Sequence, residues 1–179
     1  MGGIINAIDD QTLHDLAKQV GLALTRQGLM LASAESCTGG WLGQIVTSIP
    51  GSSAWYESGF ITYTANAKQK MLGISTKTLK EYGEVSEQIA REMAHGVVAR
   101  SGAQISVSIT GIAGPGGASK NKPVGLVYIG IKKGKILIIK ENKFKSNNRN
   151  LIQKLTVKKV IKIILKHSNF LQKGSNLAI

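Results

Sequence analysis

The residues best suited to bond-breaking chemistry lie in two glycine-rich stretches and in the segment between them. Ser36 stands at the mouth of Ser33-Ala34-Glu35-Ser36-Cys37-Thr38-Gly39-Gly40, just after the apolar run 29–32. A serine hydroxyl becomes a nucleophile only when a base takes its proton. Histidine is the common base, but His14, His95 and His167 all fall on predicted helices, far in sequence from the glycine stretches. They read as surface or internally satisfied helical histidines, which disfavours a Ser-His-Asp triad. No two are spaced to share a metal ion. Lysine is the alternative base. Lys68 is attractive because it follows a predicted strand ending at Tyr63 and lies on a short helix. To act it must be neutral, a state that burial or a neighbouring positive dipole favours. Tyr63 could relay the proton or hydrogen-bond the serine. Cys37 is the rival nucleophile, although a lone cysteine more often serves as a small packing residue.

The second glycine-rich stretch is Thr110-Gly111-Ile112-Ala113-Gly114-Pro115-Gly116-Gly117-Ala118-Ser119. Both stretches follow predicted strands, and ligands of open α/β sheets sit outside the carboxyl ends of the strands. A helix beginning near Thr38, Gly39 and Gly40 would aim free N–H groups at an anion, a phosphate or a developing oxyanion. Neither stretch is a GxxxxGK[ST] or GxGxxG loop. Each alone reads equally well as a structural turn.

The elements that must hold these residues follow from period and punctuation. Asp10 can cap a helix to about Gln27, with Leu13, Leu16, Ala17, Val20 and Leu24 at helical spacing. The run 29–32 reads as a short strand, 41–48 as a helix stopped by Pro50-Gly51, and 59–63 as an alternating strand. Two short helices follow at 65–72, with Thr64 or Asn66 as cap, and at 76–82. Ser86 caps the clearest helix, whose stripe is Ile89, Ala90, Met93, Ala94, Val97 and Val98. Strands are predicted at 105–109, 124–131 and 136–144, the last two joined by a hairpin-type turn at Lys133-Gly134. Ser146 is the expected cap of a final helix to about His167. Alternating helices and strands with a late hairpin predict an α/β fold on a mixed sheet covered on both faces.

Composition bounds the rest. The chain has 179 residues, 42% of them apolar, and no run near the roughly 20 apolar residues of a membrane-spanning helix. Its one cysteine excludes an intramolecular disulfide and a cysteine-cluster metal site. No basic segment precedes the short apolar N-terminal stretch, so a secretory signal is not expected and a cytoplasmic protein is. The net charge of +13 is unevenly placed: residues 1–131 hold ten basic and nine acidic residues, residues 132–179 thirteen and one. Lysines outnumber arginines 19 to four, whereas nucleic-acid interfaces lean on arginine for bidentate contacts. A lysine bias of this kind can also follow from an A/T-rich genome. Lys154, Lys158, Lys159, Lys162 and Lys166 would cover one side of the last helix, and Val157, Val160, Ile161 and Ile164 the other. The preferred reading is a helix packed on the sheet with its lysines in water; contact with nucleic acid or a membrane is disfavoured.

Taken together, Ala34 to Gly40, Pro50-Gly51-Ser52-Ser53, Gly59 to Tyr63 with Lys68, Gly83-Glu84-Val85-Ser86, Thr110 to Gly117 and Lys122-Pro123-Val124-Gly125 resemble the CinA C-terminal domain family, over about residues 9–166. The resemblance implies a three-layer α/β/α sandwich with a mixed, mostly parallel sheet. It implies nicotinamide-nucleotide amidase activity, converting nicotinamide mononucleotide to the acid and ammonia in pyridine nucleotide recycling. By the family motifs, Ser36 would be the nucleophile, with Lys68 and Tyr63 as its catalytic partners. Backbone N–H groups near Thr38, Gly39 and Gly40 would hold the oxyanion. Thr110, Gly111, Gly114, Gly116 and Arg149 would bind the substrate, with Arg149 and the second loop on its ribose and phosphate. No metal or organic cofactor is required. The expected partner is the small-molecule mononucleotide, with a homo-oligomer left open. The expected organisation is one stand-alone domain, 1–179, with a lysine-rich C-terminal helix at about 146–167 and a short tail. Departures are Gly102-Ala103-Gln104, where the family often has Gly-Ala-Asp, and the insertion Ala118-Ser119-Lys120-Asn121. The alternative is a non-catalytic nucleotide-binding or competence/damage-associated module, which would need no Ser-Lys pair.

Overall fold

A computed structural model of the chain describes residues 9–167. The first helix, α1 (Asp10–Thr25), is capped by Asp9, whose Oδ1 accepts from Thr12 N at 2.6 Å, one residue before the expected cap. Then come β1 (Leu31–Glu35), α2 (Trp41–Thr47), a single 3-10 turn (Ser52–Ala54) and β2 (Tyr56–Ile61). The next helices are α3 (Ala65–Leu72), α4 (Thr76–Tyr82) and α5 (Glu87–Ser101). Strands β3 (Ile105–Gly111), β4 (Leu126–Lys133) and β5 (Ile136–Lys143) lead to α6 (Arg149–His167). Thr64 caps α3 and Ser86 caps α5. The last helix starts at Arg149 and not at 146. Asn148 Oδ1 accepts from Leu151 N, while the Ser146 hydroxyl is used on Asn148 N.

The five-stranded sheet runs β2-β1-β3-β4-β5. β1 pairs in parallel with β2 and β3, β3 with β4 and β4 with β5 antiparallel, so β4 alone runs against the others. The sheet is therefore mixed and mostly parallel. The carboxyl ends of β1, β2 and β3 meet at one edge, the edge where the sequence puts its reactive residues.

Helices cover both faces. Against one face α1, α2 and α6 pack Leu13, Leu24, Leu42, Val157, Val160 and Ile161 on Leu31, Ile105, Val107, Val127 and Ile129. The apolar side of the lysine-rich helix is thus spent on the core. Against the other face Leu72, Ile74, Ile89, Met93 and Val97 pack on Ala32 and Ala34. Polar side chains on strands buried on both sides are mostly hydrogen-bonded. Ser106 and Ser108 of β3 accordingly donate to the α5 carbonyls of Ala94 and Ala90 at 2.7 and 2.6 Å. Gly130 on β4 permits this contact, since a Cβ there would lie 2.4 Å from Ser108 Oγ.

Candidate active site

The site begins one residue past β1. Ser36 N donates to Ile109 O at 3.0 Å, so the serine continues the β1–β3 ladder before the chain turns. The preceding Glu35 is 2% exposed and its carboxylate accepts four hydrogen bonds. Thr38 Oγ1, Gly40 N and Leu42 N reach Oε2 at 2.7, 3.2 and 3.1 Å; Gly43 N reaches Oε1 at 2.8 Å. A buried carboxylate on the N-terminus of α2 is compensated by donors and by the helix dipole together. The Thr38 hydroxyl and the Gly40 amide, the latter expected to face a ligand, are thereby turned inward. Gly39 N donates instead to Ser36 O at 3.0 Å. The carboxylate one residue inside the strand competes for these groups more closely than any solute can.

Lys68 arrives from α3. Thr64 Oγ1 accepts from Ala67 N, which starts the helix directly after β2 and turns its first full turn toward β1. The lysine is 1% exposed. Its Nζ donates to Ser36 Oγ at 3.2 Å, to Tyr63 O at 3.4 Å and to Glu84 Oε2 at 3.0 Å. Tyr63 thus meets the lysine through its carbonyl. Its hydroxyl accepts from Arg149 Nη2 at 3.0 Å, and Arg149 Nη1 donates to Gly114 O at 2.7 Å. Thr110 is fully buried and its hydroxyl donates to Glu84 O at 2.7 Å.

These groups line a cleft of about 410 Å³, together with Cys37, Gly111, Gly114, Gly116, Lys122 and others of the 110–122 loop. No histidine lines it. Among the described residues no group of three or more His, Cys, Asp or Glu could hold a metal ion, and no helix is long and apolar enough to cross a membrane. The fold therefore brings Ser36, Lys68, Tyr63, Thr110, Gly111, Gly114, Gly116 and Arg149 to one place, while the Thr38 hydroxyl and the amides of Gly39 and Gly40 bond within the turn. Four participants carried no role in the sequence: Glu35, Glu84, Lys122 and Gln153, whose Nε2 donates to Cys37 O at 2.7 Å. Glu35 and Glu84 stand inside motifs that attracted attention for their neighbours; Gln153 has no local signal at all.

Burial pushes the Cys37 thiol up to about 12, so it stays protonated at neutral pH. That weighs against Cys37 as the nucleophile. Iodoacetamide at about pH 8 is expected to leave Cys37 unmodified in the native protein and to label it after denaturation, as read by intact mass. Rapid native labelling would restore Cys37 as a contender.

A serine and a buried lysine at the carboxyl ends of parallel strands, in a three-layer α/β sandwich, define the class of this molecule. The sequence model of the CinA C-terminal domain matches residues 13–168, and the chain belongs to that family. The nicotinamide-nucleotide amidohydrolase PncC of Enterobacter agglomerans is 47% identical over 136 residues, 75% of this chain and 83% of that protein. The protein of the same name from Escherichia coli K12 is 50% identical over 119 residues, 66% of this chain and 72% of that one. Among solved structures, the competence/damage inducible protein CihA of Agrobacterium tumefaciens superposes with a TM-score of 0.85 at 42% identity. That match covers 90% of this chain and 96% of that one.

Proposed function

We infer that the chain is a nicotinamide-nucleotide amidohydrolase, which hydrolyses the carboxamide of nicotinamide mononucleotide to the acid and releases ammonia, a step of pyridine nucleotide recycling. The observation that carries this reading is the 3.2 Å contact between the buried Lys68 Nζ and Ser36 Oγ, in a family whose similar members bear that activity in their names.

The chemistry follows from the groups in the cleft. Ser36 Oγ attacks the amide carbon as its proton passes to a neutral Lys68, and the carbonyl electron pair moves to oxygen. The amides of Cys37 and Thr38 follow the nucleophile and are not among the donors to Glu35; we assign them to the oxyanion. One such donor is worth about 3–4 kcal/mol of barrier. The C–N bond then breaks, Lys68 returns the proton to the leaving nitrogen, and ammonia departs from an acyl-serine. Water attacks the acyl carbon with Lys68 taking its proton, and Ser36 Oγ leaves with that proton to close the cycle. Arg149 is anchored by Gly114 O and the Tyr63 hydroxyl, which fixes its guanidinium toward the cleft as a ligand for the phosphate. Lys122, whose Nζ donates to Tyr82 O, adds a second positive charge on the lining. In this scheme Tyr63 positions Arg149 and Lys68 and carries no proton.

Purified protein is expected to release ammonia from nicotinamide mononucleotide, and Ser36→Ala to lose nearly all turnover with an unchanged circular dichroism spectrum. Near-normal turnover in Ser36→Ala would remove the serine from the mechanism.

A further inference from the structure

We propose that Gln153 of α6 is a positioning residue for the oxyanion: by holding the Cys37 carbonyl it fixes the direction of the Thr38 N–H, one of the two amides assigned to the developing negative oxygen. The inference rests on the amidohydrolase reading, and the residue it names acts there without touching the substrate.

Gly39 N donates to Ser36 O at 3.0 Å, which makes residues 36–39 a β-turn with Cys37 and Thr38 at its two central positions. The peptide unit between those two takes no part in the turn's own hydrogen bond, so the turn leaves it unheld. Its C=O accepts from Gln153 Nε2 at 2.7 Å, across 116 residues of chain. Its N–H makes no hydrogen bond to any of the described residues, although Thr38 is only 3% exposed. A buried backbone N–H without an acceptor is uncommon and points to a ligand that completes it. A trans peptide is planar, so its C=O and N–H point in opposite directions. The carbonyl is held toward α6, and the N–H therefore faces away from it. α6 lies against one face of the sheet and α3 against the other, and it is from α3 that Lys68 reaches Ser36 Oγ. The free amide thus faces the side on which the nucleophile meets its base.

Turning this peptide over would put the carbonyl where the N–H must be. It would also require a positive φ at Thr38, and among the described residues only glycines have one. Sterics at Thr38 oppose the full flip but not a rocking of the peptide plane, and a hydrogen bond weakens steeply as its angle closes. The grip of Gln153 on the carbonyl restrains that rocking. The helix that delivers it is itself held at the site. Arg149, one turn earlier on the same face of α6, donates to Gly114 O, and Lys154 Nζ sits 5.6 Å from the centre of the Trp41 ring at the start of α2.

The test is steady-state kinetics of ammonia release for wild type, Ser36→Ala, Gln153→Met and Gln153→Glu. Methionine keeps the length of the side chain and removes the donor. Glutamate removes it with a polar side chain and carries the test if the methionine variant folds poorly. Each Gln153 variant is expected to lower kcat by about three- to thirtyfold, short of the loss of about 10²–10³-fold on deleting an oxyanion donor, because the amide stays and only its aim is loosened. KM should stay within about twofold of wild type, since Gln153 does not meet the substrate. The second readout is inhibition by the aldehyde analogue of nicotinamide mononucleotide. Ser36 Oγ bonds to its aldehyde carbon, the carbonyl electron pair moves to oxygen, and the serine proton passes to Lys68. Its affinity should fall by about the same factor as kcat, because both need the amide on that oxygen. A kcat within about twofold of wild type would overturn the assignment. So would a lowered kcat with aldehyde affinity unchanged, or with KM raised by as much, which marks a merely structural role. A wild type that releases no ammonia would fail the amidohydrolase reading itself, and the proposal with it. Activity lost in Ser36→Ala but kept in both Gln153 variants would fail the proposal alone.

Discussion

Lys68→Met is expected to lower kcat for ammonia release by about 10²–10⁴-fold while KM changes little. The lysine touches the nucleophile, whereas the groups assigned to the phosphate lie on α6 and the 110–122 loop, so binding and chemistry separate. Methionine is chosen because Lys68 is buried and its stem fills space between α3 and the end of β1. Alanine would add a cavity, and a drop in rate would then mix lost chemistry with lost packing. The half-exposed Glu84 left behind keeps its hydration, so the variant should fold. Lys68→Arg should be no better than Lys68→Met, since a guanidinium keeps its charge but does not give up a proton at neutral pH. Steady-state kinetics on the three proteins decides the matter. A Lys68→Arg enzyme with wild-type turnover would mean that the positive charge, and not a base, is what Ser36 needs.

Glu35→Ala should be strongly destabilising, at about 3–5 kcal/mol. Removing the carboxylate orphans the amides of Gly40, Leu42 and Gly43 and the Thr38 hydroxyl. An unsatisfied buried donor costs about 1–3 kcal/mol, and water entering the gap recovers part of the sum. The favourable charge at the helix N-terminus goes as well. For a chain of this size the loss corresponds to a fall in Tm of about 10–15 °C. Urea denaturation of wild type, Glu35→Gln and Glu35→Ala should give graded midpoints, because glutamine keeps one acceptor oxygen. Turnover should fall too, since Ser36 is the next residue. A Glu35→Ala protein that melts within about 2 °C of wild type would show that α2 is held by its apolar face alone.

The contrast between what could and could not be read from the residues tracks how local each cause is. Helices α3 and α4 stand where the sequence puts them because Thr64, Ser75, Gly73 and Gly83 act within a turn of themselves. Strands β1 and β2 slipped. The expected 29–32 became Leu31–Glu35, and the expected 59–63 became Tyr56–Ile61. The cause is two polar residues that looked like turn but lie inside the sheet. Ser33 shares a hydrogen bond with Tyr56 Oη at 2.8 Å, and Glu35 is satisfied by α2. Neither partner can be known before the chain has folded. The Ser36–Lys68 pairing was within reach because residue type, nearby glycines and motif order converge on it. The Gly40 amide, expected to face a ligand, is taken by Glu35, because the helix N-terminus reads as vacant in the sequence when the preceding strand already carries its anion. Glu84 lies 16 residues from Lys68 and Gln153 116 from Cys37, and only the packing of the loop after α4 and of α6 brings them in.

The reach of α6 back to the cleft makes the site depend on segments far apart in the chain. Ser36, Lys68 and Glu84 all precede β3, so the nucleophile and its base are synthesised in the first half of the chain. Arg149, which braces Tyr63 and the 110–117 loop, and Gln153, which holds the Cys37 carbonyl, belong to the last helix. That helix also closes the core over α1 and the sheet. Without α6 the serine and its lysine would lose the braces that hold the Tyr63 hydroxyl, the 110–117 loop and the Cys37 carbonyl in place.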